Sequence, residues 1–95
     1  MNQFILTAAL VAKEALRYTP AGLPVIECQL EHSGEVQEAG NARQVKMSIS
    51  AIAIGSVYEK LNQMHLGKVA RFSGFLTHKS LRSQRLVFHI THIEL

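Results

Sequence analysis

Residues 67–95 read GKVARFSGFLTHKSLRSQRLVFHITHIEL, two β-patterned runs flanking a polar loop. From Val69 to Leu76, Ala70, Phe72, Gly74 and Leu76 share one face, and Val69, Arg71, Ser73 and Phe75 share the other. A period of two marks a strand with one face packed, and Gly74 inside it predicts a bend or bulge. Leu86–Leu95 is a second strand. Strict alternation places Leu86, Phe88, Ile90 and His92 on one face and Val87, His89, Thr91 and Ile93 on the other. The loop between them, Thr77–Arg85, carries Lys79, Arg82 and Arg85 with no acidic residue, no glycine and no proline. It is therefore no two-residue hairpin turn. Like charges held in one long loop repel, so stability explains them poorly; phosphate binding is the preferred reading, with an ordinary solvated loop as the alternative.

Net charge is +3, but its distribution is uneven. Residues 1–66 hold five Lys/Arg against six Glu, hence −1, and residues 67–95 hold five against one, hence +4. Positive charge gathered in the last third suits one face that meets a polyanion. The chain of 95 residues fits one domain, 1–95. Phe4–Ala12 is apolar on both alternating sets but short and without a basic leader. It reads as a first strand, neither signal peptide nor membrane span. Apolar side chains on both faces need cover from the core or from a second subunit. Cys28 is the single cysteine, so no internal disulfide forms, and a lone thiol without a leader fits a reducing cytoplasm.

Arg17–Pro24 is a strong turn, with Pro20 and Gly22 at its centre. Val25–His32 then alternates, with Ile26, Cys28 and Leu30 on one face and Glu27, Gln29 and Glu31 on the other. Cys28 reads as a packed, inert thiol. Ser33–Ala42 is polar, contains Gly34 and Gly40, and reads as a mobile loop. From Arg43 the alternation resumes as a third strand, with Val45, Met47, Ile49 and Ala51 against Gln44, Lys46, Ser48 and Ser50. Ser56-Val57-Tyr58-Glu59 has the form of a capping box. Val57, Leu61 and Met64 follow at helical spacing, and Gly67 is placed to end that helix.

The order is strand, strand, strand, short helix, strand, strand. It is the element order of the OB-fold, an all-β, five-stranded Greek-key barrel whose short helix lies between strands three and four. Closure also removes the edges that five β-rich strands would expose. An SH3-like barrel is the alternative, and the helix position argues against it.

Several segments resemble the bacterial single-stranded-DNA-binding protein superfamily, and more closely its short branch, the primosomal replication protein N (PriB) family. They are Arg17–Val25, Gly74-Phe75-Leu76, Ile93-Glu94-Leu95, Leu30-Glu31-His32, Gln37–Gly40 and Arg43-Gln44. Single-stranded-DNA-binding proteins of the superfamily continue into a flexible tail with an acidic tip, which this sequence lacks. The resemblance implies a homodimer that binds single-stranded DNA and helps restart stalled replication forks. It also implies three protein partners: the PriA helicase, DnaT and the single-stranded-DNA-binding protein. Lys46 departs from the family pattern, which commonly has a base-stacking aromatic there. With no Trp in the chain, stacking worth about 1–3 kcal/mol per base is lost at that position. Lys46 reads either as a replacement phosphate contact or as a solvated side chain.

The candidate nucleic-acid-binding residues are Lys79, Arg82 and Arg85, then Lys46, Arg17 and Tyr18, with Arg43 and Lys13 as weaker candidates for phosphate contacts. Three phosphate contacts give a log–log salt slope of about −2 on a single strand. Tyr18 reads as a turn residue packed over the barrel end, with base stacking as the alternative. For Phe75 the readings are core, dimer contact or stacking platform, the first two preferred; Phe4, Phe72 and Phe88 read as core. Phosphates and stacking faces do not by themselves distinguish RNA from DNA. The other function class is a protein–protein adaptor whose basic loop meets an acidic partner.

No catalytic or cofactor chemistry is indicated. The chain has no Asp, no G-x-S-x-G elbow and no phosphate-cradling glycine loop, and it reads as a non-enzyme. His89 and His92, three apart on one strand, fall on opposite faces and so form no chelating pair. The other histidines lie in separate elements, and no zinc site or other cofactor is expected.

Overall fold

The computed structural model describes residues 1–95. Its elements are β1 (Phe4–Lys13), β2 (Arg17–Tyr18), β3 (Pro24–Glu38), β4 (Asn41–Ile54), α1 (Tyr58–Gln63), β5 (Val69–His78) and β6 (Leu86–Glu94). The strands run β1-β5-β6-β4-β3-β2, and β1 also pairs with β3, which closes five of them into a barrel. β1 serves both neighbours in succession: Phe4–Ala9 pairs with β5 and Ala9–Lys13 with β3, across an irregularity between Leu10 and Ala12. β4 and β6 are joined by a short parallel ladder, Ala51–Ala53 against Phe88–Ile90. The all-β order and closed barrel are those of the OB-fold, with a six-residue helix between β4 and β5. No helix is long and apolar enough to cross a membrane.

Alternation builds the core. Leu6, Ala8 and Leu10 of β1, Ile26, Cys28 and Leu30 of β3, Ala70 and Phe72 of β5, and Phe88 and Ile90 of β6 point inward. Phe72 and Phe88 are fully buried, and burial of such a side chain contributes about 1.5–3 kcal/mol. Phe4 is half-buried and meets Phe88 edge to face at 4.9 Å. Leu61 and Met64 carry the helix onto the same cluster. Cys28 is buried, and burial together with the Glu27 charge pushes its thiol up to about 12, so the inert reading holds.

The largest departure from the sequence expectation is Ser33–Ala42. It is no mobile loop but the end of a hairpin in which β3 and β4 pair continuously from Val25–Ile54 to Glu38–Asn41. Ala39 and Gly40 form the turn, both left-handed at φ 52° and 81°, the backbone of a type I′ turn whose twist matches the strands it joins. The arm projects beyond the barrel, and the molecule measures 49 Å along its longest axis. Solvent on both sides of the arm removes any need for apolar alternation, so the polar run gave no strand signal. At its root the His32 imidazole Nδ1–H donates to the Thr7 carbonyl at 2.7 Å, lying over Gly34, which leaves it room.

Four smaller expectations are corrected. The capping box does not form: Val57 is the N-cap, without a side-chain hydrogen bond, and the Glu59 N–H bonds the Ser56 carbonyl instead. Gly67 is left-handed, but it sits in the turn after the helix, whose C-cap is Met64. The basic loop is shorter than Thr77–Arg85, because Thr77 and His78 pair with Val87 and Leu86 inside the β5–β6 ladder. Finally, strict alternation fails in β6. Ser73 pairs with His92 but Gly74 pairs with Ile90, so Thr91 is an extra residue and a bulge. Beyond it the faces exchange, Ile93 turning inward and His92 outward. His89 and His92 therefore share the outer face, against the expectation from spacing. The bulge also explains Gly74, since a Cβ there would lie 1.8 Å from the His89 carbonyl oxygen.

Candidate nucleic-acid interface

The β5–β6 connection is closed at its base by the Lys79 N–H donating to the Arg85 carbonyl at 2.9 Å. That bond sets the two cationic residues side by side where the loop leaves the barrel. At the tip, Ser83 N–H bonds the Ser80 carbonyl, making Leu81 and Arg82 the centre of a turn. Leu81 is wholly exposed. Lys79, Arg82 and Arg85 form no ion pair, the only two in the chain being Arg17–Glu27 and Arg43–Glu38. Three unneutralised cations on seven residues are held there by β5 and β6 alone.

The loop base opens onto the outer face of β3 and β4. Lys79, Arg85 and Val87 line a cleft of about 300 Å³ whose other walls include Glu27, Gln29 and Ser50. Its floor is polar and tied together, the Gln29 amide donating to the Ser50 hydroxyl at 2.8 Å. A second cleft of about 200 Å³ adjoins it, lined by Arg17, Glu27, Ile52, Lys79, Val87 and His89. These residues follow from register. Phe75 pairs with His89, His89 with Ile52, and Ile52 with Glu27, giving one row across β5, β6, β4 and β3. Arg17 ends the row through a 2.8 Å ion pair with Glu27.

The structure thus brings Arg17, Lys79 and Arg85 to one place, with Arg82 at the loop tip. Tyr18 is 63% exposed on the adjoining two-residue strand, so it does not pack over the barrel end. Phe75 is not core either: it faces outward and stacks on His89, ring centroids 4.9 Å apart and planes 16° from parallel. Burial lowers His89 below its ordinary value of 6.5, so the imidazole is neutral at pH 7.

Lys13 also contributes to the lining of the larger cleft, but its ammonium donates to the carbonyls of Asn62 and Met64 at 2.8 and 3.0 Å, satisfying acceptors at and just beyond the helix end. Lys46 and Arg43 lie elsewhere. Lys46 shares the outer face with the Ser50 floor, about 13 Å further along β4. It pairs with Ser33, between the Glu31–Ser48 and Glu35–Gln44 pairs, so two carboxylates flank it. Arg43 is about 23 Å from Ser50 by the same rise, on the arm and ion-paired with Glu38 at 2.8 Å. His89, Gln29, Ser50, Ile52 and Val87 were not singled out from sequence. Only the cross-strand register brings them to the loop base. No three His, Cys, Asp or Glu side chains converge anywhere in the chain.

Residues 2–92 match the model of a family described as another single-strand binding protein family. The replication restart protein PriB of Bordetella pertussis is 39% identical over 90 residues, 95% of this chain and 84% of that one. The Nitrosomonas europaea protein of the same name is 36% identical over 89 residues, covering 94% and 82%. Among solved structures, PriB from Ralstonia solanacearum superposes with a TM-score of 0.92 at 42% identity, covering 99% of this chain and 96% of that one. The single-stranded DNA binding protein from Thermus aquaticus superposes at 0.77 over 99% of this chain and 49% of its own, and at 22% identity shows a shared fold. The chain therefore belongs to the PriB family of replication restart proteins, within the wider single-strand binding protein family.

Proposed function

We propose that the chain binds single-stranded DNA without sequence preference, as part of replication restart, through the cleft at the base of the 79–85 loop. The observation that carries this reading is the gathering of Lys79, Arg85 and Arg17 around two adjoining clefts that share Lys79, with Lys79 and Arg85 in no ion pair although Glu14 and Glu27 contribute to the lining. Cations on a shaped surface recognise phosphates in any sequence, because no base edge has to be read. Lys79 and Arg85 hold the strand at the loop base, and Arg82 adds a contact from the tip. Arg17 joins when a phosphate competes with Glu27 for its guanidinium, and Tyr18 offers an exposed ring beside it. Lys46 and Arg43 lie out along the arm beside glutamate neighbours and add little to the phosphate contacts. The chain acts here as a cytoplasmic binding module, not an enzyme.

Kinship supports the rest of the reading. It includes assembly with the PriA helicase, DnaT and the single-stranded-DNA-binding protein, and stimulation and bridging of the helicase. A homodimer is supported by the outer side of β1, where Ile5 and Val11 stay exposed beside Val69 of β5. One observation favours a second role for the loop, as an adaptor for an acidic partner. A wholly exposed Leu81 between cations suits a protein contact better than a phosphate.

The test is fluorescence anisotropy with a labelled oligomer of about 20 nucleotides, long enough for several of the phosphate contacts counted above. The Lys79→Ala/Arg82→Ala/Arg85→Ala variant should bind roughly tenfold more weakly at moderate salt with its fold retained. Unchanged affinity would sink the loop as the DNA site.

A further inference from the structure

We propose that the smaller cleft receives one nucleobase of the bound strand, stacked on the His89 imidazole between the side chains of Ile52 and Val87. The inference rests on the single-strand reading above and deepens it. The cleft, about 200 Å³, has room for a single base, and its lining is divided in a telling way. Ile52, Val87 and His89 form the part that lies on the sheet, Arg17 and Lys79 come from the neighbouring strand and loop, and Glu27 completes the lining in its ion pair with Arg17. A nucleotide has the same division, an apolar-faced ring joined to an anionic phosphate. With the base against His89, the flanking phosphates reach the two cations.

His89 is built to serve as a platform. β6 runs between β5 and β4, so the imidazole has Phe75 on one side and Ile52 on the other. The parallel stack on Phe75 holds the ring in place and covers one face. Its neutrality at pH 7, a result of burial, leaves an aromatic surface without another fixed charge. Alternation with the inward-facing Phe88 and Ile90 aims this ring outward, and the pairing of Gly74 with Ile90 and of Phe75 with His89 fixes its neighbour. The β3–β4 face carries no Phe, Tyr or Trp, so stacking has to come from outside it. Every base has a π face, so one such platform adds affinity without sequence preference.

The experiment compares a labelled oligothymidylate with an abasic phosphodiester oligomer of the same length, against the unsubstituted chain and two variants, His89→Ala and His89→Phe. His89→Ala should weaken oligothymidylate binding about tenfold, the scale of one stacked base. His89→Phe should keep the affinity, and all three proteins should bind the abasic oligomer alike. An equal loss by His89→Ala on both oligomers, or no loss on either, overturns the base subsite while leaving the single-strand reading intact. Failure of the unsubstituted chain to bind either oligomer overturns the single-strand reading, and the subsite with it. Matching thermal unfolding of the three proteins shows that the comparison is between folded chains.

Discussion

Two glycines lie inside strands, and the same substitution at each should have very different costs. At Gly74 an added Cβ would sit 1.8 Å from the His89 carbonyl oxygen and 2.9 Å from the carbonyl carbon. Both are backbone atoms of the paired strand, so relief to an ordinary contact requires β5 and β6 to part by more than an ångström. That breaks ladder bonds on either side of the bulge, and each buried backbone group left unpaired costs about 1–3 kcal/mol. The expected loss for Gly74→Ala is about 3 kcal/mol or more, combining overpacking with one or two lost bonds. At Gly34 the Cβ would meet only the His32 ring, at 3.0 Å from Nε2. The ring can swing aside at the cost of its bond to Thr7, about 1 kcal/mol. For a domain of this size each kcal/mol moves Tm by roughly 4–8 °C. Thermal melts followed by far-UV circular dichroism should show Gly74→Ala lowered by at least about 12 °C and Gly34→Ala by several degrees. Equal shifts, or a Gly74→Ala protein as stable as its parent, would refute the bulge account.

Other outcomes follow from the same geometry. Ala39 holds φ 52°, which costs an L-residue about 1–2 kcal/mol. Ala39→Asn should therefore raise the urea midpoint, with a gain of about 0.5–1 kcal/mol. Glu27→Gln frees Arg17 and removes a negative charge from both clefts. It should strengthen single-stranded DNA binding about two- to fivefold at low salt, and stability should change by less than about 1 kcal/mol, as for exposed ion pairs. Cys28, with its thiol raised from 9.0 to about 12, should resist a thiol reagent at pH 8 in the folded chain and react once urea unfolds it. Because the folded value is the higher one, the stability it contributes is fully present below pH 9 and is lost as pH rises from there towards about 12. Cys28→Ala should flatten that alkaline decline in urea titrations.

The barrel was legible because each of its strands has one face in the core, so Ile26, Cys28 and Leu30, or Ala70 and Phe72, had to alternate with polar residues. The arm was not, because burial is what imposes alternation and residues 33–42 have none. Its Ala39-Gly40 turn also lacks the asparagine that usually announces a type I′ hairpin. Lys79, Arg82 and Arg85 could be named from charge alone. His89 could not, since its place beside Phe75, Ile52 and Glu27 comes from cross-strand pairing and not from alternation within its own strand, and Phe75 faces outward opposite His89 rather than into the core. The Arg17–Glu27 pair joins residues ten apart across the β2–β3 pairing, a contact that the turn makes and spacing does not reveal.

The central claim is that DNA is held by the loop base and cleft rather than by the arm. The salt dependence of single-stranded DNA binding tests it most directly, because each phosphate contact contributes about −0.7 to the log–log slope. The expected slope is about −2 per subunit for the unsubstituted chain. It should become shallower by about 1.4 in Lys79→Ala/Arg85→Ala and change little in Lys46→Ala/Arg43→Ala. A slope that survives loss of Lys79 and Arg85, or that collapses on loss of Lys46 and Arg43, would contradict it.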